Sequence, residues 1–201
     1  NRHCMASLMR RYKSGREEKD PMRGFLDISI QTLNEDSISV VNEANDSFPI
    51  IGKIIPSYRD GVWMYEEQLY EKVYETRFPD DSLDWSEYIN REDKQVFLAF
   101  DETTCIGQIR VARDWNRFAY IENIAVQKAY RNSGLGHLLI GVVETWAKEQ
   151  SLLGLSLEAQ NDNVIACRFY AKEGFALGGV DTLKQTGNPN IDMTLYWYKI
   201  F

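Results

Sequence analysis

The residues best suited to chemistry lie in QKAYRNSGLGHLLI (127–140). Arg131, Asn132, Ser133, Gly134, Leu135 and Gly136 precede or open an apolar stripe of helical spacing, so this loop runs into a helix N-terminus. The first four NH groups of a helix have no intrahelical acceptor, and the macrodipole is positive there. Two glycines let an anion approach the backbone, and Arg131 adds a guanidinium with forked donors. Together they suit a phosphate. The Walker pattern G-x-x-x-x-G-K-S/T has no match, and the dinucleotide fingerprint G-x-G-x-x-G fails because position 139 is leucine. Two carboxylates add a second chemistry. Glu122 in FAYIENIAV (118–126) and Glu158 in GLSLEAQ (154–160) sit in apolar runs of strand character. A carboxylate on a central strand is costly to bury unless it is paired or used. Alternation places Glu122 on one face with Tyr120 and Ile124, and Glu158 with Ser156 and Gln160.

Those residues must be positioned by elements that the pattern also reveals. QVFLAF (95–100), TCIGQIRVAR (104–113) and FAYIENIAV form an antiparallel meander, its turns marked by Asp101-Glu102 and Asp114-Trp115-Asn116. Leu135, Leu138, Leu139, Val142, Val143 and Trp146 then give one buried face of an amphipathic helix. GLSLEAQ is a strand, VIACRFYAKE (164–173) a shorter helix, and FALGGVDTL (175–183) and IDMTLYWYKIF (191–201) are strands. The order β-β-β-α-β-α-β-β predicts an α+β domain with a mixed, mostly antiparallel central sheet and helices on both faces, the helical connections joining parallel neighbours. Upstream, FPIIGKII (48–55) reads as a strand that stops at Pro56, and VWMYEEQLYE (62–71) as a further extended or mixed segment. The acidic stretch Pro79 to Asp93 reads as a solvated, partly helical face.

Composition narrows the functions. A chain of 201 residues fits one domain, and no run reaches the ~18 apolar residues of a spanning helix. With two histidines (His3, His137) and three scattered cysteines (Cys4, Cys105, Cys167), neither a His-rich metal site nor a disulfide framework is expected. Cys105 and Cys167 read as small buried hydrophobes and His137 as a surface histidine. The net charge of −7 hides an asymmetry: residues 1–23 hold seven Lys or Arg against three Asp or Glu, and the rest sixteen against twenty-seven, or −11. Residues 1–23 are expected to be a basic tail or extension, with Met22 as a native start, and residues 24–47 a variable segment ahead of a domain at 48–201. An acidic body disfavours nucleic acid and anionic membrane and favours cationic small molecules, although acidity also serves solubility. A cytoplasmic setting is expected from reduced thiols, and a homodimer is left open.

One phosphate pattern is met in full. Q/R-x-x-G-x-G/A, the pyrophosphate loop for coenzyme A, is matched by Arg131, Gly134 and Gly136. Downstream, Asn163, Ala166, Phe169-Tyr170 and Gly174-Phe175 follow at N-x-x-A-x-x-F-Y-x-x-x-G-F spacing. With both motifs in order, the chain resembles the GCN5-related N-acetyltransferases (GNAT) over roughly residues 95–200. Within that family it is similar to the streptothricin acetyltransferases, through IGKIIPSY (51–58), RDWNRFAYIENIAV (113–126), LEAQNDNVIACRFYAKEGF (157–175), GGVDTL (178–183) and LYWYKIF (195–201).

The resemblance implies acetyl-CoA as cosubstrate, no metal, and a cationic small-molecule amine as acceptor, with direct transfer in a ternary complex. It implies that the strand before the loop splays from its parallel neighbour, so that Ile124, Ala125 and Val126 pair with pantetheine and an NH near Val126 meets the developing oxyanion. Tyr170 matches the family's general acid for the departing thiolate. The amine must lose a proton before attack, and Glu122 and Glu158 are the candidate bases, or the groups that hold the cation; a solvent path stays open. Asn163 would orient pantetheine or cap the second helix. The C-terminal Tyr196, Trp197, Tyr198 and Phe201 read as strand packing, with one ring near the acceptor left open. Another amine acceptor, or acyl-CoA sensing without catalysis, remains an alternative.

Overall fold

The protein is described here by a computed structural model over residues 28–201. The expected tail at 1–23, residues 24–27, His3 and Cys4 lie outside the described residues. In chain order the elements are β1 (Ile28–Thr32), β2 (Phe48–Arg59), β3 (Val62–Thr76), β4 (Lys94–Asp101), β5 (Thr104–Arg113), β6 (Phe118–Val126), α1 (Leu135–Glu149), β7 (Gly154–Gln160), α2 (Val164–Lys172), β8 (Ala176–Asp181) and β9 (Thr194–Ile200). Short 3-10 helices occupy Glu35–Val40, Trp85–Tyr88 and Lys128–Tyr130. Among the described residues no helix is long and apolar enough to cross a membrane.

A seven-stranded sheet in the order β1-β4-β5-β6-β7-β9-β8 forms the body, and β2 and β3 make a separate two-stranded ribbon. The pairing of β6 with β7 is parallel, and the other pairings in the sheet are antiparallel. Strand alternation splits the core in two. Phe97, Ala99, Ile109, Val111, Ala119, Ile121, Leu155 and Leu157 pack with the α1 stripe and with Val164, Cys167 and Tyr170 of α2. Val96, Leu98, Phe100 and Cys105 pack on the other side with Leu33, Val41, Trp85 and Tyr88. Both α-helices therefore cover one face and two of the 3-10 helices lie on the other, so the expected helices on both faces are α-helical on one side only. The α+β class and the β-β-β-α-β-α-β-β order are as expected.

Three details differ. The sheet begins before residue 48, because β1 pairs with β4 from Ile28↔Asp101 to Thr32↔Phe97, while Leu33 and Val41 are core residues. The first crossover joins parallel neighbours, but the second does not, since β9 inserts between β7 and β8. Period and length give a strand's existence, not its place among later strands. Finally, β2 passes through Pro56, which lies opposite Tyr65. A two-stranded ribbon leaves each strand one unpaired edge, where a missing NH costs no ladder bond.

Candidate active site

The loop after β6 is shaped by its backbone. Asn132 and Gly134 have φ of +61° and +92°, and a Cβ at Gly134 would meet nothing within 4 Å. Gly134 is the N-cap of α1 and no side chain caps that helix, so its first NH groups face outward unsatisfied. This backbone geometry suits the anion that the spacing predicts. Gly136 has a different reason to be glycine: its Cβ would sit 3.0 Å from the Phe169 ring, so it sets how closely α1 approaches α2. Arg131 is also partly committed. Its Nε donates to the Val126 carbonyl at 3.0 Å and its Nη1 to the Ser47 carbonyl at 2.7 Å, which ties the loop to β6 and to the start of β2. Asp46 accepts from the Lys128 backbone NH at 2.8 Å, so residues 46 and 47 hold the loop from the N-terminal side.

Between β6 and β7 the sheet opens. Parallel pairing runs from Phe118↔Gly154 to Ile121↔Leu157 and then ends. The cause is visible in the register of β6 with β5: Val111 pairs with Ile121 and Arg110 with Asn123, so Glu122 is an extra, bulged residue. The bulge resets the alternation. Ile124 and Val126 join the helix-side core with Ala119 and Ile121, whereas Asn123 turns to the other face and donates to Gln108 Oε1 at 2.9 Å. The expected sharing of one face by Tyr120, Glu122 and Ile124 thus fails at Ile124. Beyond the bulge, the β7-facing edge of Ile124, Ala125 and Val126 has no strand partner among the described residues and suits an extended ligand.

On the face away from the α-helices, a cleft of about 450 Å³ is lined by Ala112, Arg113, Asp114, Tyr120, Glu122, Glu158 and Lys184. The two carboxylates singled out from sequence therefore share one site. Glu122 Oε2 accepts from the Tyr88 hydroxyl at 2.8 Å and from Arg110 Nε at 3.2 Å. Arg110 is buried and donates from Nη1 to Asp81 at 2.6 Å. Burial, reinforced by the Glu122 bond, pushes the Tyr88 phenol up to about 12, so Tyr88 stays a donor. Glu158 pairs instead with Lys184 Nζ at 2.5 Å. Burial, then the Glu158 charge, raises Tyr120 as well.

Tyr170 lies elsewhere. It is buried on the helix face among Phe169, Phe175 and Trp197, with ring centroids 5.6, 5.9 and 6.5 Å away. Burial raises its phenol well above the usual value, so it is a protonated donor at any ordinary pH. The structure does not bring it into the cleft with Glu122 and Glu158; the open seam between β6 and β7 lies between the two sides. Asn163 is the N-cap of α2, its Oδ1 accepting from Ala166 NH at 3.2 Å. Cys105 and Cys167 are fully buried, and desolvation pushes their thiols up to about 11 and about 12. An uncapped helix N-terminus, a splayed parallel pair and a cleft with two glutamates fit a pyrophosphate-bearing thioester on one side and an amine on the other.

The model of the acetyltransferase (GNAT) family matches residues 58–175. The chain belongs to this family. It is an acetyl-CoA-dependent N-acetyltransferase. Streptothricin acetyltransferase A of Bacillus subtilis strain 168 is 41% identical over 161 residues, which covers 80% of this chain and 92% of that protein. A crystal structure from Bacillus anthracis, assigned as a streptothricin acetyltransferase and solved with acetyl coenzyme A, is 35% identical, with a TM-score of 0.79 over 88% of this chain and 98% of that one. Nourseothricin acetyltransferase, at 24% identity and a TM-score of 0.72, shares the fold over 86% of this chain and 98% of its own.

Several residues at the acetyltransferase's cleft are not evident from the motifs. Asp81, Trp85 and Tyr88 lie in the stretch expected to be a solvated face, yet Trp85 and Tyr88 are buried and Asp81 pairs with Arg110. A signal was present, since Trp85 and Tyr88 are three apart with acidic neighbours, the spacing of one buried helical turn. Arg110 carried a signal too: an arginine midway along an apolar strand needs anions. Lys184 and the Asp46-Ser47 brace gave none. His137 is exposed as expected, but its Nδ1 lies 2.7 Å from the buried Glu173, which joins α1 to the end of α2.

Proposed function

We propose that this acetyltransferase moves the acetyl group of acetyl-CoA directly onto an amine of streptothricin, in its β-lysine arm, and so inactivates the antibiotic. The observation that carries the reading is the cleft that brings Glu122 and Glu158 together beside the open β6/β7 seam, in a chain 41% identical to a streptothricin acetyltransferase over nearly that protein's whole length. A cationic acceptor suits a cleft whose two glutamates lie beside the seam. The remaining steps follow from residues in place. The NH groups of Leu135 and Gly136, presented by Asn132, Ser133 and Gly134, receive the pyrophosphate, and Arg131 fixes the loop and lends charge. The open edge of Ile124, Ala125 and Val126 pairs with pantetheine. Arg131 already occupies the Val126 carbonyl, so the Val126 NH is the group offered to the developing oxyanion. Asn163, its Oδ1 spent on the helix cap, retains its amide NH2 for pantetheine.

Proton transfers divide between the faces. Tyr170 gives its proton to the departing thiolate from the helix side. Glu122, whose Oε2 is engaged by Tyr88 and Arg110, takes the amine proton through Oε1 or a bridging water, while Glu158 holds the acceptor's charge. Buried, weakly acidic thiols at Cys105 and Cys167 are poor acyl carriers, which favours direct transfer over a covalent intermediate. The scheme uses no metal ion. It carries a cytoplasmic setting with it, since acetyl-CoA is an intracellular cosubstrate.

Thiol release from acetyl-CoA, measured for the purified protein with streptothricin, a polyamine, an aminoglycoside and a peptide N-terminus, tests the reading. Streptothricin should give the highest kcat/KM. Equal or faster turnover of another amine would reassign the acceptor, and no thiol release with any amine would leave an acyl-CoA sensor.

A further inference from the structure

Glu122 and Glu158 line one cleft in unlike company. The guanidinium that balances Glu122 belongs to Arg110, whose side chain is 10% exposed and is also held by Asp81. The ammonium that balances Glu158 belongs to Lys184, whose side chain is 42% exposed. One counter-cation is built into the sheet. The other hangs over the cleft from the segment after β8.

Lys184 is nevertheless aimed. Asp181 Oδ1 accepts from the backbone NH groups of Leu183 and Lys184 at 2.8 and 2.9 Å, which fixes where the side chain starts. Its Nζ then reaches Glu158 and lies 5.6 Å from the centre of the Tyr196 ring. A carboxylate beside an aromatic face is what an alkylammonium group requires. The position therefore describes an ammonium subsite already filled by the protein's own amine.

We propose that Lys184 is an internal stand-in for the acceptor's cation: it occupies the Glu158–Tyr196 subsite in the free enzyme and is displaced when a cationic amine enters. The inference rests on the reading of this cleft as the amine site. Its physical content is an exchange. A primary ammonium replaces a primary ammonium on the same carboxylate, so little electrostatic energy changes, and Lys184 swings into solvent without disturbing the core. A neutral competitor cannot make that exchange, and a cation of the wrong reach leaves Glu158 to Lys184. Lys184 would thus select for charge while weakening affinity.

The test is steady-state thiol release by the full chain with acetyl-CoA and streptothricin, comparing the parent with Lys184→Met and Lys184→Arg. Removing the competing cation should lower the acceptor KM about two- to fivefold, the range for a partly exposed ion pair, without moving the KM for acetyl-CoA. Lys184→Arg restores a cation to Glu158 and should bring the acceptor KM back toward the parent value. In a Glu158→Gln background, where the shared carboxylate is gone, Lys184→Met should leave the acceptor KM of that background unchanged. If Lys184→Met folds poorly, Lys184→Gln carries the same expectation. An acceptor KM that stays level or rises on loss of the Lys184 charge would overturn the stand-in while leaving the acceptor site intact. Failure of the parent itself to acetylate any cationic amine would instead remove the reading beneath it.

Discussion

The helix-covered face of the sheet and its cleft face handle polar groups in opposite ways. Around Tyr170 the neighbours are aromatic or aliphatic, so the phenol is set by desolvation and kept protonated. Around Glu122 the neighbours are Arg110, Tyr88 and Asp81, and charge is balanced by charge at contact distance. The first environment suits a group that must hold a proton until it is needed. The second suits a group that must stay an acceptor and attract cations. The bulge at Glu122 opens the sheet between the two, because the β6/β7 pairing that would otherwise seal one face from the other ends there.

The contrast can be broken from either side. The largest effect is expected at Arg110: with Arg110→Met, Asp81 and Glu122 face each other without their cation, and urea unfolding should show a loss of about 3 kcal/mol. Asp81→Asn in the same chain should recover part of that loss; a variant as stable as the parent would mean that the pair is held by solvent. Next comes Tyr170→Phe, which keeps the aromatic packing and removes the proton. Its kcat should fall on the order of a hundredfold with the acetyl-CoA KM little changed, whereas parental kcat would take the general acid away from the helix face. The smallest effect is expected at Asp162, in the turn between β7 and α2. Its Oδ1 is buried without a partner, and burial raises its carboxyl above the ordinary 3.8. A raised native value means that the folded state holds the proton more tightly, so this contribution to stability is present at acid pH and lost as pH rises past 3.8. Asp162→Asn should flatten that part of the pH-stability curve and raise stability at pH 7 by less than about 1 kcal/mol, read as a small upward shift in Tm. A lower Tm would show that the carboxylate is used.

The two faces also differed in legibility. The proposed cosubstrate side is continuous in sequence: the loop from Arg131 to Gly136 and the run from Asn163 to Phe175 each form one local unit, so each can be matched to a family motif as a single stretch. The proposed acceptor side is assembled from five separate segments, the stretch holding Asp81 and Tyr88 and those around Arg110, Glu122, Glu158 and Lys184, and no local period links them. Glu122 was found because a carboxylate in an apolar strand is conspicuous, but its bulge was not, since an inserted residue looks like any other until the register with β5 is known. The same reasoning explains Gly136. Its place in a glycine pattern suggests anion approach, and only the position of Phe169 reveals that it also serves packing. The order of β8 and β9 was hidden for a like reason, because it depends on contacts far apart in the chain.

The central claim is that acetyl donor and amine meet at the seam between β6 and β7, with the leaving thiol on the Tyr170 side and the amine on the side of Glu122 and Glu158. A crystal structure with a bisubstrate analogue, coenzyme A joined to a streptothricin amine, tests it most directly. The account predicts the pyrophosphate at Asn132 to Gly136, the pantetheine along Ile124 to Val126, the sulfur within reach of the Tyr170 hydroxyl, and the amine in the cleft with Lys184 displaced from Glu158. An acceptor portion lying on the helix face, or a cleft left empty with the Lys184–Glu158 pair intact, would contradict it.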